Sequence, residues 1–362
     1  MSKLNDLMKR PVHGSITPAE LRELGLDIND VIDFSSNINP LGMPSHLKDA
    51  IADVDISRYP DPDCLELREA ISKETGADIV SILVGNGSTE LIHLIARTFL
   101  TAGSSAIIMS PTYGEYETAC RLAGMEPTFV KAEEGRDFRW NIPSVCKQVK
   151  AIAPRVIFLC NPNNPTGVLL QSGDVVKIAA AAAHGLLIVD EAYMPFADDP
   201  WDATTLPDSG NIVVLRSMTK DCALAGIRLG YIIAQPDIIE RVKCYQSFWS
   251  VNTIAQAIGL IAVNDREHIV KARKTVAEAK AYLLKSIEDI GLDVIPTSTN
   301  FVMIKVGSAK SMRQALLKQG ICVRDCTSFG LPRYIRIAMQ PLPACRRFVE
   351  VLKTIVIERN GG

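Results

Sequence analysis

Leu186-Leu187-Ile188-Val189-Asp190-Glu191-Ala192-Tyr193 decides how this chain is read. Four apolar residues in a row fit a strand covered on both faces, as in a parallel sheet, and they end abruptly on two carboxylates. The same construction occurs twice more. Val156-Ile157-Phe158-Leu159 leads into Asn161-Pro162-Asn163-Asn164-Pro165-Thr166-Gly167, and Ile212-Val213-Val214-Leu215 leads into Ser217-Met218-Thr219-Lys220, with Arg228 following in Ala225-Gly226-Ile227-Arg228-Leu229-Gly230. Other short apolar runs lie at 82–84, 106–109 and 231–234, and between them stretches such as Glu90 to Leu100 and Val175 to Ala183 carry a helical pattern. Alternation of this kind predicts an α/β fold with a mostly parallel sheet covered by helices. Ligands of such sheets gather at the carboxyl ends of the strands, where all three polar clusters fall.

Beyond about residue 235 the pattern shifts. Helical segments at 238–246, 253–263 and 267–290 precede short strands at 292–295, 301–304 and 334–337, and a last helix is expected from Ala344 to Ile357. The layout predicted is an N-terminal segment over 1–40 that joins the small domain and the site, a large domain over 41–250, and a smaller α+β domain over 251–362. With 362 residues, 47% of them hydrophobic, the chain can bury cores of that size. A net charge of -2 with both signs interspersed provides no field for nucleic acid or a membrane surface. Met1 to Arg10 lack the apolar stretch of a secretory signal, and Lys177 and His184 interrupt the longest apolar candidate for a span. Nine scattered cysteines without CxxC pairs predict neither a disulfide framework nor a zinc site, so the expected compartment is the cytoplasm and no metal is expected.

Taken singly, each cluster has an ordinary explanation. Val84-Gly85-Asn86-Gly87-Ser88-Thr89-Glu90 is a glycine-rich strand-to-helix turn, which can receive an anion on free helix N–H groups but is common in proteins that bind nothing there. Asn163-Asn164-Pro165-Thr166-Gly167 has the composition of a turn. Asp190 could be a cap or half of a buried ion pair. Tyr113, at the end of another strand in Ser110-Pro111-Thr112-Tyr113-Gly114, could be packing alone.

Together and in this order the clusters resemble the histidinol-phosphate aminotransferase branch of the fold-type I pyridoxal phosphate enzymes, over nearly the whole chain from Asp33 to the final helix. The resemblance implies an aspartate aminotransferase-like architecture with a seven-stranded sheet in the large domain. It makes Lys220 the Schiff-base lysine, Asp190 the partner of the pyridine nitrogen, and Asn164 with Tyr193 the partners of the phenolic oxygen. The cofactor phosphate falls to Gly87, Ser88, Thr89, Ser217 and Arg228, and Tyr113 stacks on the ring. The family is dimeric with shared active sites, and Tyr59 in Arg58-Tyr59-Pro60-Asp61-Pro62 matches a tyrosine that reaches the neighbouring subunit's cofactor phosphate. Arg336 matches a carboxylate-binding arginine and Arg324 a second substrate-binding one.

The same core serves transamination and decarboxylation equally. The N-terminus distinguishes them by resemblance: Asn37-Ile38-Asn39-Pro40 stands where the aminotransferases show Asn-Glu-Asn-Pro, and together with the earlier His13-Gly14 it is similar to the threonine-phosphate decarboxylases, which supply aminopropanol phosphate for the cobalamin nucleotide loop. That resemblance gives His13, Gly14 and Asn37, together with Asn164, roles in holding a phosphorylated amino acid. Tyr193 follows the aminotransferase pattern, where some decarboxylases carry phenylalanine. The alternatives are a histidinol-phosphate or aromatic aminotransferase, a serine-phosphate decarboxylase and a non-catalytic regulator on the same fold.

Overall fold

A computed structural model describes residues 16–206 and 210–360. Seven strands build the central sheet: β2 Ile82–Gly85, β3 Ala106–Ser110, β4 Thr128–Lys131, β5 Val156–Cys160, β6 Leu186–Asp190, β7 Ile212–Ser217 and β8 Gly230–Ile233 (β1, Ile32–Asp33, lies elsewhere). Their spatial order is β2-β8-β7-β6-β5-β3-β4, with β8 antiparallel to both neighbours and every other pairing parallel. The runs β2, β3, β5 and β6 are buried at every position, as their unbroken apolar sequences require. Ile157, Leu159, Leu187 and Val189 face one helical layer, while Phe158, Ile188, Val213 and Leu215 face the other.

Two elements depart from the sequence reading. β4 has one buried residue, Val130, and its edge position leaves nothing of a continuous apolar run. The helix predicted from Glu90 begins at Gly87 and runs to Phe99, because small and polar residues rather than apolar ones open its first turn.

The smaller part is built on the antiparallel sheet β12-β13-β10-β9 (Arg324–Asp325, Tyr334–Ala338, Phe301–Lys305 and Val294–Ile295). β1 pairs in parallel with β11 (Ile321–Cys322), so residues just before Asn37 are tied to the C-terminal region. The long helix Arg266–Asp289 turns Ala272, Val276, Ala279, Leu283 and Ile287 towards Phe348, Leu352 and the β10 and β13 side chains. That spacing of three and four residues is the apolar stripe of a packed helix. Helix Thr253–Ala262 instead packs on helices Ser45–Ala52 and Leu65–Thr75, with Ala255 and Ile258 in the larger core. Among the described residues no helix is long and apolar enough to cross a membrane.

Candidate active site

The carboxyl ends of β3, β5, β6 and β7 open on a cavity of about 760 Å³. Antiparallel β8 begins at the same edge, and its direction is what brings Arg228, two residues upstream of Gly230, to that opening. Asn37, Ser88, Thr89, Tyr113, Asn164, Asp190, Tyr193, Ser217, Lys220, Arg228, Arg324 and Arg336 all line it, which gathers twelve residues singled out from the sequence around one space.

One end is shaped for an anion. Gly87 has φ +79°, and a Cβ there would stand 2.8 Å from Arg228 Nη2, so a side chain would collide with the guanidinium even if the backbone tolerated it. Gly230 is as constrained, since a Cβ would meet the Ser88 backbone nitrogen at 2.7 Å. The helix starting at Gly87 receives no side-chain cap from Asn86, which leaves N–H groups of its first turn facing the same end as the Ser88 and Thr89 hydroxyls. Ser217 Oγ lies 2.7 Å from Thr219 Oγ1, and Thr219 lines the cavity as well. Arg228 itself has φ 60°, a left-handed conformation that costs a non-glycine residue of order 1 kcal/mol or more and recurs at ligand sites.

At the other end, Arg336 is buried on β13. Its Nη2 donates to the Ser35 carbonyl at 2.6 Å, its Nη1 to Asn164 Oδ1, and the guanidinium lies 5.3 Å above the Phe301 ring, while Nε has no partner. Among the described residues no carboxylate forms an ion pair with it. Burial therefore pushes its pKa below the ordinary arginine value. Arg324, on β12 opposite Arg336, donates to Ser328 Oγ at 2.6 Å and lies over Phe329, and burial with the Arg336 charge lowers its pKa to about 10.

Between these ends stand the titratable groups. Asn164 Nδ2 is 3.5 Å from the Tyr193 hydroxyl, and the Tyr193 ring meets Phe301 edge-on at 5.0 Å. Burial pushes the Tyr193 phenol up, as it does Tyr113, which reaches about 12. Asp190 is buried, and burial raises its carboxyl pKa against the pull of hydrogen bonds from Tyr116 and the Ala192 N–H. Burial first, then the Arg336 and Arg228 charges, lowers Lys220 to about 8. An amine so shifted is neutral above about pH 8, and only the neutral form is nucleophilic. The rate at which apoprotein captures added pyridoxal phosphate should accordingly rise with pH and level off above about 8, read by stopped-flow absorbance. A rate still climbing near the ordinary lysine value of about 10.4 would contradict that environment.

Tyr59 does not line the cavity of its own chain; it is 78% exposed and stacked on Trp249 at 4.3 Å. His13 and Gly14 lie outside the described residues. Two participants escaped the sequence reading. Tyr116, which no motif in the sequence marks, donates its hydroxyl to Asp190 Oδ2 at 2.6 Å. Asn39 belongs to a motif that was recognised, but its function is to hold the lysine turn: its N–H donates to the Lys220 carbonyl at 2.9 Å and its Nδ2 to the Asp221 carbonyl at 2.6 Å.

The profile of the family described as "Aminotransferase class I and II" matches residues 29–352, and the chain belongs to that family. Pyridoxal phosphate is the cofactor of these enzymes and of this one. The site fits it: a cradle that a single Cβ would fill is of a kind to receive a phosphate, and a buried carboxylate and a lysine of lowered pKa stand at neighbouring strand ends. The chain is 36% identical to a protein named "Putative threonine-phosphate decarboxylase" from Caldanaerobacter subterraneus subsp. tengcongensis, over 89% of this chain and 90% of the relative. It is 34% identical to a histidinol-phosphate aminotransferase from Symbiobacterium thermophilum, over 97% of each. Among solved structures it superposes on L-threonine-O-3-phosphate decarboxylase from Porphyromonas gingivalis with a TM-score of 0.79 at 26% identity, covering 90% of this chain and 99% of that one.

Proposed function

We propose that this pyridoxal phosphate enzyme decarboxylates an O-phospho-L-amino acid, chiefly L-threonine O-3-phosphate, to give (R)-1-aminopropan-2-yl phosphate for the cobalamin nucleotide loop. The observation that carries the substrate class is the buried Arg336 guanidinium, which has no carboxylate ion pair among the described residues and shares the cavity with the buried Arg324, apart from the Gly87 cradle. A substrate with a carboxylate and a phosphate offers an anion to Arg336 and a second one to the cationic end of the cavity that Arg324 also lines. For decarboxylation the support is the Asn37-Ile38-Asn39-Pro40 resemblance, two of whose residues line the cavity, and the 36% identical relative with the solved decarboxylase.

Bound in the cavity, the cofactor supplies an electron sink that labilises bonds to the substrate's α-carbon. Asp190 would meet the ring nitrogen and keep it protonated. Asn164 and Tyr193 would hold the phenolic oxygen, with the Arg336 hydrogen bond keeping the Asn164 amide in place. Arg336 and Arg324 would orient the substrate so that its carboxylate leaves as CO₂, and Lys220 Nζ would deliver the proton that replaces it at the α-carbon. Parallel assays with O-phospho-L-threonine, O-phospho-L-serine, and histidinol phosphate plus 2-oxoglutarate test the reading. The first should turn over fastest, by about 10-fold or more over the serine analogue if its one methyl is read by the pocket. Turnover of histidinol phosphate alone would overturn it in favour of the aminotransferase, the reading to which the Symbiobacterium relative and Tyr193 point.

The reading includes a cytoplasmic homodimer. All nine cysteines are free thiols, which suits a reducing compartment. Ile56, Tyr59, Phe248 and Trp249 are exposed apolar side chains, and the last three form one aromatic group that a second copy would cover. Light scattering should give twice the chain mass. A fully active monomer would exclude a shared site.

A further inference from the structure

The Asp190 carboxylate cannot act at a ring nitrogen unless it stays ionised and keeps one orientation, and both conditions are difficult inside this core. Asp190 is 4% exposed, and burial disfavours its charge. Its Oδ1 accepts the Ala192 N–H at 3.0 Å, a bond within its own turn. The other oxygen, Oδ2, accepts the Tyr116 hydroxyl at 2.6 Å from the helix Glu115–Leu122. Tyr116 is wholly buried and held on two sides: its ring stacks on Phe158 of β5 with centroids 5.0 Å apart and planes 9° from parallel, and meets Tyr113 edge-on at 5.6 Å. Its own pKa is pushed well above the ordinary phenol value by burial, then by the Asp190 charge, so it remains a donor at every working pH. A short O–H···O⁻ bond from a fixed donor stabilises the charged carboxylate and sets its direction.

We propose that Tyr116 is a positioning residue, whose hydroxyl aims and holds the Asp190 carboxylate for the cofactor's ring nitrogen, the ring stack on Phe158 serving as its mount. The inference rests on the assignment of Asp190 made above. Tyr116→Phe removes the hydroxyl and keeps the stack, so the fold should survive it. The test is a double-mutant cycle of cofactor affinity on apoprotein (wild type, Tyr116→Phe, Asp190→Asn and both), paired with the ¹⁵N shift of ring-labelled pyridoxal phosphate in each holoprotein. Tyr116→Phe is expected to weaken cofactor binding about 10-fold and to move the ¹⁵N signal towards the unprotonated position, with no further loss in the Asp190→Asn background. Losses that multiply in the double variant, or a Tyr116→Phe protein with unchanged affinity and shift, would overturn it. If Asp190→Asn itself moved neither readout, the Asp190 assignment would fall instead. Should Tyr116→Phe be too unstable to purify, Phe158→Leu, which removes the mount and leaves the hydroxyl, should reproduce a partial ¹⁵N shift, and an unmoved shift there would count against the proposal.

Discussion

Lys220→Ala protein, purified with added pyridoxal phosphate, is expected to lack the visible absorbance of a lysine-bound cofactor and to turn over about 10²–10⁴-fold more slowly, the range assigned to a positioned proton-transfer group. Among the described residues Lys220 is the lysine that lines the cavity, so none of them places a second amine there to substitute. The fold should not suffer. Burial and two nearby guanidiniums already make the ammonium form unfavourable there, and a small apolar residue relieves that cost. Ser217 and Thr219, which flank the same turn, keep their mutual hydrogen bond, so phosphate-end affinity should fall far less than activity. Persistence of the visible band would show that the lysine assignment is wrong.

Arg336→Gln should have the second largest effect and an opposite signature. The cofactor and its visible band should be retained, because Arg336 contacts Ser35, Asn164 and Phe301 rather than the Gly87 cradle. kcat/KM should drop by about 10²–10³-fold, corresponding to the roughly 2–5 kcal/mol typical of removing one side of a buried charged contact. Thermal stability should be unchanged or higher, since the wild-type protein buries this cation without a carboxylate and bears the desolvation cost at any ordinary pH. Steady-state kinetics and calorimetry read both. Loss of the cofactor together with a large fall in Tm would place Arg336 in the scaffold rather than at the substrate.

What could be read in advance follows from burial. β5, β6 and β7 are apolar runs because helices cover both faces, and the polar cluster that follows each run is conspicuous; the clusters holding Asn164, Asp190 and Lys220 stand out on that contrast, and the family resemblance suggests the roles. β4, half exposed at the sheet edge, has no such contrast. The direction of β8 could not be read either, since a four-residue buried run has the same composition in both directions, yet it is what delivers Arg228. Tyr116 shows a further limit: one hydroxyl on a buried ring turns a packing residue into a partner of Asp190, and apolar periodicity does not register one oxygen atom. Asn39 was quoted for its resemblance, while its hydrogen bonds to residues 220 and 221 depend on a fold in which the N-terminal segment crosses the lysine turn.

The choice between carbon–carboxylate and carbon–hydrogen cleavage remains the central claim, and one measurement reaches it directly. Purified holoenzyme is given O-phospho-L-threonine labelled with ¹³C at the carboxyl group, with no keto acid present, and ¹³CO₂ is followed against the amine phosphate formed. Equal amounts of the two, continuing for many turnovers per site, are the predicted result. No labelled CO₂, with reaction stopping after at most one amino group has left the substrate for each active site, would contradict it and identify an aminotransferase.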